Sequence, residues 1–222
     1  MYNISMTFKI NIPIQQVLYY LGYKDQKLDS HLLDDINSCI QIVLENMDIK
    51  YTYKLFDLKK DALQIPGKTI QELMDQSTFL FVFAVTLGHK VDRIVYQNQI
   101  KDVSKALLLD ACCNAAIDLV CDLIESQLID YCQKDHLFVS DRFSPGYGDF
   151  PLNYQSTLCQ ILDTSRKIGL HISDHLILNP KKSVTAVCAI SDKPFTHRLK
   201  GCENCNLFFN CSLRKRGMNC GN

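Results

Sequence analysis

Neither sign of charge is in excess: 24 lysines and arginines face 24 aspartates and glutamates over 222 residues, so no global field draws in nucleic acid or an anionic membrane. No apolar run approaches the roughly 18 residues that a spanning helix needs, and Met1 to Thr7 show no cationic start leading into an apolar segment. A cytoplasmic protein, with no membrane and no nucleic acid as partner, is expected. There is no internal repeat, no glycine-rich dinucleotide or P-loop fingerprint, and no persuasive Cys/His or Ser/His pairing for nucleophilic catalysis. At 47 % apolar and 22 % charged residues the composition also excludes disordered and fibrous classes, and leaves enough apolar side chains for a sizeable core.

Eleven cysteines are present. In a reducing compartment they are thiols or metal ligands rather than disulfides, and their odd number argues against complete pairing. Cys112, Cys113 and Cys121 fall inside a long helical pattern and read as small apolar residues.

The pattern along the chain is that of a mixed α+β domain over 1–192 with a basic, cysteine-rich tail over 193–222. Met6 to Ile12 alternates weakly and predicts a short strand, then Pro13 opens a helix from Ile14 to Leu21 that Gly22 closes. Asp29 or Ser30 caps the next helix, and Tyr51 to Phe56 has the period of a strand. A short helix follows Pro66-Gly67, and the continuous apolar run Phe79 to Val85 predicts a central strand. From Asp102 to Gln133 there is no glycine or proline, and apolar residues recur every three or four positions, which predicts one long, largely buried helix. Leu137 to Val139, Leu170 to Leu178 and Val184 to Ile190 read as strands, and Asn153 to Leu162 as a helix.

The densest turn signal is Arg142-Phe143-Ser144-Pro145-Gly146-Tyr147-Gly148-Asp149-Phe150-Pro151. Proline presets φ for the first central position of a type II turn and glycine accepts the positive φ required next. Arg142 offers a planar fork suited to a carboxylate, Tyr147 a ring face for stacking, and Gly148 room for close approach to the main chain. The same residues also suit an ordinary surface turn, with Arg142 in an ion pair and Tyr147 packed on the core.

Arg142-x-x-x-Gly146-Tyr147 in this setting resembles the S-adenosylmethionine-binding loop of the activation domain of cobalamin-dependent methionine synthase, and most closely its free-standing, activation-domain-like form in anaerobic bacteria. Gln16 to Tyr23 looks like that family's first helix, Thr86-Leu87-Gly88 with Val91-Asp92-Arg93 like its central strand and turn, and Pro180 to Ala186 like its late strand. The resemblance implies a largely antiparallel sheet with flanking helices, one of them long. It also implies that Arg142 holds the cofactor carboxylate and that Pro145, Gly146, Tyr147 and Gly148 meet the adenosine end. An acid of the long helix would face the positive groups: Asp118, where the family usually has glutamate, with Asp122 one turn on as the alternative. Two family site residues, a tyrosine beyond the late strand and an acid of the amino-terminal half, have no assigned counterpart in this sequence.

The activity this resemblance implies is reductive remethylation of cobalamin, with the corrinoid on a partner chain. Asp29-Ser30-His31 matches only the first half of the corrinoid motif Asp-x-His-x-x-Gly, Asp34 stands where the glycine belongs, and His31 is a chance match. The reading is therefore a subunit of a split methionine synthase or a related corrinoid methyltransferase; a non-catalytic adaptor that docks on a corrinoid protein is the alternative. In the tail, Cys202, Cys205, Cys211 and Cys220 have the spacing C-x2-C-x5-C-x8-C, which can supply four thiolates to zinc or to an iron–sulfur cluster. The basic residues there, Arg214, Lys215 and Arg216 among them, suit an acidic flavodoxin- or ferredoxin-like electron donor.

Overall fold

A computed structural model describes residues 6–23, 26, 28–195 and 209–210. Seven helices and six strands are present among them: α1 (Ile14–Tyr20), α2 (Ser30–Asn46), β1 (Lys50–Asp57), α3 (Lys68–Asp75), β2 (Phe79–Thr86), α4 (His89–Lys101), α5 (Val103–Gln133), β3 (Phe138–Val139), α6 (Tyr154–Leu162), α7 (Thr164–Ile168), β4 (His171–Ile172), β5 (Leu178–Asn179) and β6 (Ser183–Ser191). The main sheet has the order β1-β2-β6-β3 and every neighbouring pair is antiparallel. The fold is α+β, with a mixed plan of flanking helices, as the sequence pattern predicts.

Strand β2 explains its own apolar run. Phe81, Phe83 and Val85 join Ala186, Cys188 and Ile190 of β6 in a core against α1, α2, α4 and α5. Leu80, Val82 and Ala84 alternate with them and join Val187 and Ala189 in a second core beneath α3, α6, α7 and the β4–β5 hairpin. A strand buried on both faces has no position for a polar residue, so the period of 2 disappears from its sequence.

Helix α5 runs unbroken for 31 residues, about 46 Å at 1.5 Å per residue, with Asp102 accepting from the Lys105 amide at its start. It packs among α1, α2, α4 and the sheet, so Cys112, Cys113 and Cys121 are buried and burial pushes each thiol up to about 12. They fill space as predicted. Among the described residues no helix is long and apolar enough to cross a membrane.

Three sequence expectations differ from the structure. Residues 6–12 join no ladder: the Met6 amide donates to the Tyr51 hydroxyl, and the Gln127 amide side chain bonds both the N–H and the carbonyl of Thr7. Met6 and Ile12 are buried, so the alternation reports burial and not strand pairing. The predicted strand 170–178 is instead a hairpin, β4 and β5 folding back through a turn in which the Leu176 amide donates to the Ser173 carbonyl and Leu176 takes φ 60°. Helix α7 has no counterpart in the sequence reading; Asp163, at φ 53°, ends α6 and starts α7.

Candidate functional site

The long helix and the sheet edge bring the site together. After α5 ends, the Leu137 amide donates to the Cys132 carbonyl, His136 takes φ 56°, and the chain reverses. It then returns extended along the helix. Five extended residues from Leu137 cover about 17 Å. The helix retraces that distance between Gln133 and Asp122. Arg142 is thereby delivered opposite the middle of α5.

Its direction follows from alternation. Phe143 exchanges both main-chain hydrogen bonds with Val187 of β6 and buries its ring in the second core. Its neighbour Arg142 therefore points to the other side of the sheet edge, into the helical layer. There α5 presents Asp118, Asp122 and Glu125 at i, i+4 and i+7, one face of the helix. Arg142 Nη1 donates to Asp122 and to Glu125, Nη2 lies 4.0 Å from Asp118, and the Arg142 amide donates to Glu125 Oε1 at 2.6 Å. Burial opposes the charge on this side chain, but the carboxylates of Glu125 and Asp122 outweigh that and raise its pKa above the ordinary arginine value.

The predicted loop residues form two successive turns. Ser144 to Tyr147 is closed by the Tyr147 amide donating to the Ser144 carbonyl at 3.1 Å, and Gly146 has φ 93°, the geometry expected for Pro-Gly in a type II turn. Gly148 then takes φ 53° over the Phe143 ring, where an added Cβ would lie 3.2 Å from its edge. Pro145 is buried and sets the turn, whereas Gly146, Tyr147 and Gly148 are exposed, Tyr147 at 65 %. Tyr147 therefore stands at the tip and is not packed on the core.

Two anchors hold this loop. Phe150 is buried between the rings of Phe143 and Tyr154, at 5.6 and 5.7 Å. Asp149 accepts from the Thr69 amide in the first turn of α3 at 3.0 Å. Burial works against the Asp149 carboxylate, but the Thr69 and Lys68 contacts outweigh it and its pKa lies below the ordinary carboxylate value. A carboxyl depressed in the folded state stabilises fully above its unfolded value near 3.9, and that contribution fades as pH falls through the lower folded value. Asp149→Asn keeps the acceptor and removes the negative charge beside the amino end of α3, so it is expected to lower stability by about 0.5 kcal/mol at pH 7 and by almost nothing below the folded value. Thermal melts of both proteins from pH 7 down to pH 3 measure this.

Asp118 and Asp122, the two acids singled out in the sequence, both face Arg142. Glu125 and Tyr20 are additions. Glu125 continues the same helical stripe one step further and was legible from that period. Tyr20 arrives from α1, its hydroxyl donating to Asp118; burial and then that carboxylate raise its pKa, so it stays a donor at neutral pH. No local signal links positions 98 residues apart. His31 lies in the first turn of α2, where its amide donates to the Asp29 cap, as a helix start requires. Cys202, Cys205, Cys211 and Cys220 lie outside the described residues. Among those described, no three His, Cys, Asp or Glu side chains are grouped as a metal ion requires.

No protein-family model matches the chain, and no curated protein matches it in sequence. A solved structure does match in fold: a MetH reactivation domain bound to AdoHcy, at TM-score 0.62 and 11 % identity, covering 91 % of this chain and 80 % of that one. The chain thus has the fold of a methionine synthase reactivation domain.

Proposed function

We propose that this chain is a reactivation module for a cobalamin-dependent methionine synthase or a related corrinoid methyltransferase, acting as a separate cytoplasmic subunit that binds S-adenosylmethionine at the 142–148 loop. The observation that carries the reading is the placement of Arg142 against the acids of α5, followed in the chain by the exposed Gly146-Tyr147-Gly148 turns, on a fold shared with a domain whose solved structure holds AdoHcy. These residues fit the ligand. A guanidinium held charged suits an amino-acid carboxylate, and the carboxylates beside it suit an amino and a sulfonium group. Two exposed glycines at positive φ leave the main chain open beside a tyrosine ring.

S-adenosylmethionine supplies an already activated methyl group on a sulfonium, so this chain needs neither a nucleophile nor a general base. Its residues orient: Arg142 fixes the carboxylate, Asp118 or Asp122 the cationic end, and Gly146, Tyr147 and Gly148 the adenosine. The corrinoid sits on a partner chain, whose cob(II)alamin takes one electron from a flavodoxin- or ferredoxin-like donor as the methyl group moves to cobalt and S-adenosylhomocysteine leaves. In the same reading, residues 193–222 form an appendix in which Cys202, Cys205, Cys211 and Cys220 hold zinc or an iron–sulfur cluster. The test supplies the purified chain with a corrinoid partner, a low-potential reductant and methyl-labelled S-adenosylmethionine. Label on cobalt supports the proposal, and its absence under conditions that reduce cobalt refutes it.

A second reading, an adaptor that docks on a corrinoid protein without the cofactor, is favoured by one observation: the Arg142 guanidinium already has two carboxylate partners within the chain, Asp122 and Glu125 on Nη1. An adaptor would bind its partner equally well with and without S-adenosylmethionine, and equally well as Arg142→Ala.

A further inference from the structure

We propose that Glu125 is a positioning residue for Arg142, turning one edge of its guanidinium into the helix so that the opposite edge faces a ligand carboxylate. The proposal rests on the reading of Arg142 as the carboxylate anchor. Three facts lead to it. Glu125 grips its target twice, Oε1 taking the Arg142 amide and Oε2 taking Nη1, so a single side chain fixes both the backbone and the head group of the loop arginine. Its side chain is only 9 % exposed, against 53 % for Asp122 and 36 % for Asp118. The head-group contacts are concentrated on one nitrogen. Nη1 is spent on Glu125 and Asp122, whereas among the described contacts the Nε–Nη2 edge carries the 4.0 Å approach of Asp118.

That edge is the parallel two-donor fork that matches a carboxylate. An arginine free to swing would pay rotamer entropy each time a ligand is held; one clamped at its amide and at Nη1 meets the ligand already aimed. Packing alone does not explain a carboxylate here. An apolar residue of similar size would close the joint between α5 and the loop without the desolvation that a buried acid costs. Asp118 and Asp122 are too exposed to impose the same constraint, and neither contacts the Arg142 main chain among the described contacts.

The experiment titrates full-length protein with S-adenosylmethionine and with its decarboxylated analogue, as wild type and as Glu125→Gln. The ratio of the two affinities isolates what the ligand carboxylate contributes. Wild type is expected to prefer the carboxylated ligand by about 30-fold, the range of a charge-assisted hydrogen bond. Glu125→Gln can still accept from the Arg142 amide, but its other terminal atom becomes a donor facing Nη1. The preference should fall to about 3-fold while the decarboxylated analogue binds almost as before. A merely structural role would weaken both ligands alike. Should Glu125→Gln fail to fold, Glu125→Asp takes its place: it is too short for both contacts, and the ratio should again fall. An undiminished ratio in the variant overturns the inference and leaves the proposed function standing. Failure of wild type to bind either ligand, or equal binding of both, overturns the reading of Arg142 and the inference with it.

Discussion

Arg142→Ala should destabilise the protein by about 3 kcal/mol and abolish the loop's preference for a carboxylate ligand. The stability loss comes from Glu125, which stays buried with its main-chain partner but without the guanidinium that offsets its charge. Asp122, half exposed, returns to water at little cost. For a chain of this length about 3 kcal/mol corresponds to a fall of roughly 6–12 °C in melting temperature. Affinity for S-adenosylmethionine should drop about 30-fold or more, the value of a charge-assisted contact. Arg142→Lys keeps the charge but not the fork, so it should recover most of the stability and little of the affinity. The double variant Arg142→Met, Glu125→Leu separates the two effects: stability returns because no charge is left buried, and binding does not. Melting curves with and without ligand, followed by calorimetric titration, read both quantities on the same samples.

The second large effect is expected at a residue that carries no charge. Phe150→Ala removes a fully buried ring held between Phe143 and Tyr154, beneath the loop, and should cost about 3–5 kcal/mol. Phe143 is the residue whose main-chain pairing with Val187 aims Arg142, and Gly148 rests on its ring. Loss of Phe150 therefore loosens the arginine and the turn together, and ligand affinity should fall although Phe150 is buried beneath the site. Phe150→Leu keeps most of the volume and should cost about 1.5 kcal/mol at most. Urea titration measures both. A shifted midpoint at unchanged slope identifies loss of stability without change in the unfolded state.

The parts of this architecture that were legible in the sequence are those whose signal is local. The uninterrupted stretch from Val103 to Gln133 is a helix because nothing in it breaks one, and Phe79 to Thr86 is a strand whose continuous apolarity reports burial on both faces. The Pro145-Gly146 turn has the φ that its residue types demand. What was hidden depends on distant partners or on weak punctuation. Residues 6–12 alternate like a strand, yet their main-chain groups are satisfied by Tyr51 and Gln127 side chains, which no local pattern announces. The turn inside 170–178 uses Ser173 and Leu176 where a glycine would have marked it.

The same division holds for the site. Arg142 and Asp118 were legible through the family resemblance and Asp122 through its place one helical turn on, and Glu125 lies one step further on that stripe. Tyr20 was beyond reach because its link to Asp118 exists only once α1 has packed on α5. Glu125 carries no burial signal of its own, since an acid on that helical stripe suits a solvated face until the loop covers it.

The most direct test of the account is calorimetric titration of anaerobically purified full-length protein with S-adenosylmethionine. Saturable one-to-one binding, lost in Arg142→Ala under conditions where that variant remains folded, is the predicted result. No binding at millimolar ligand, or binding indifferent to Arg142, would contradict it.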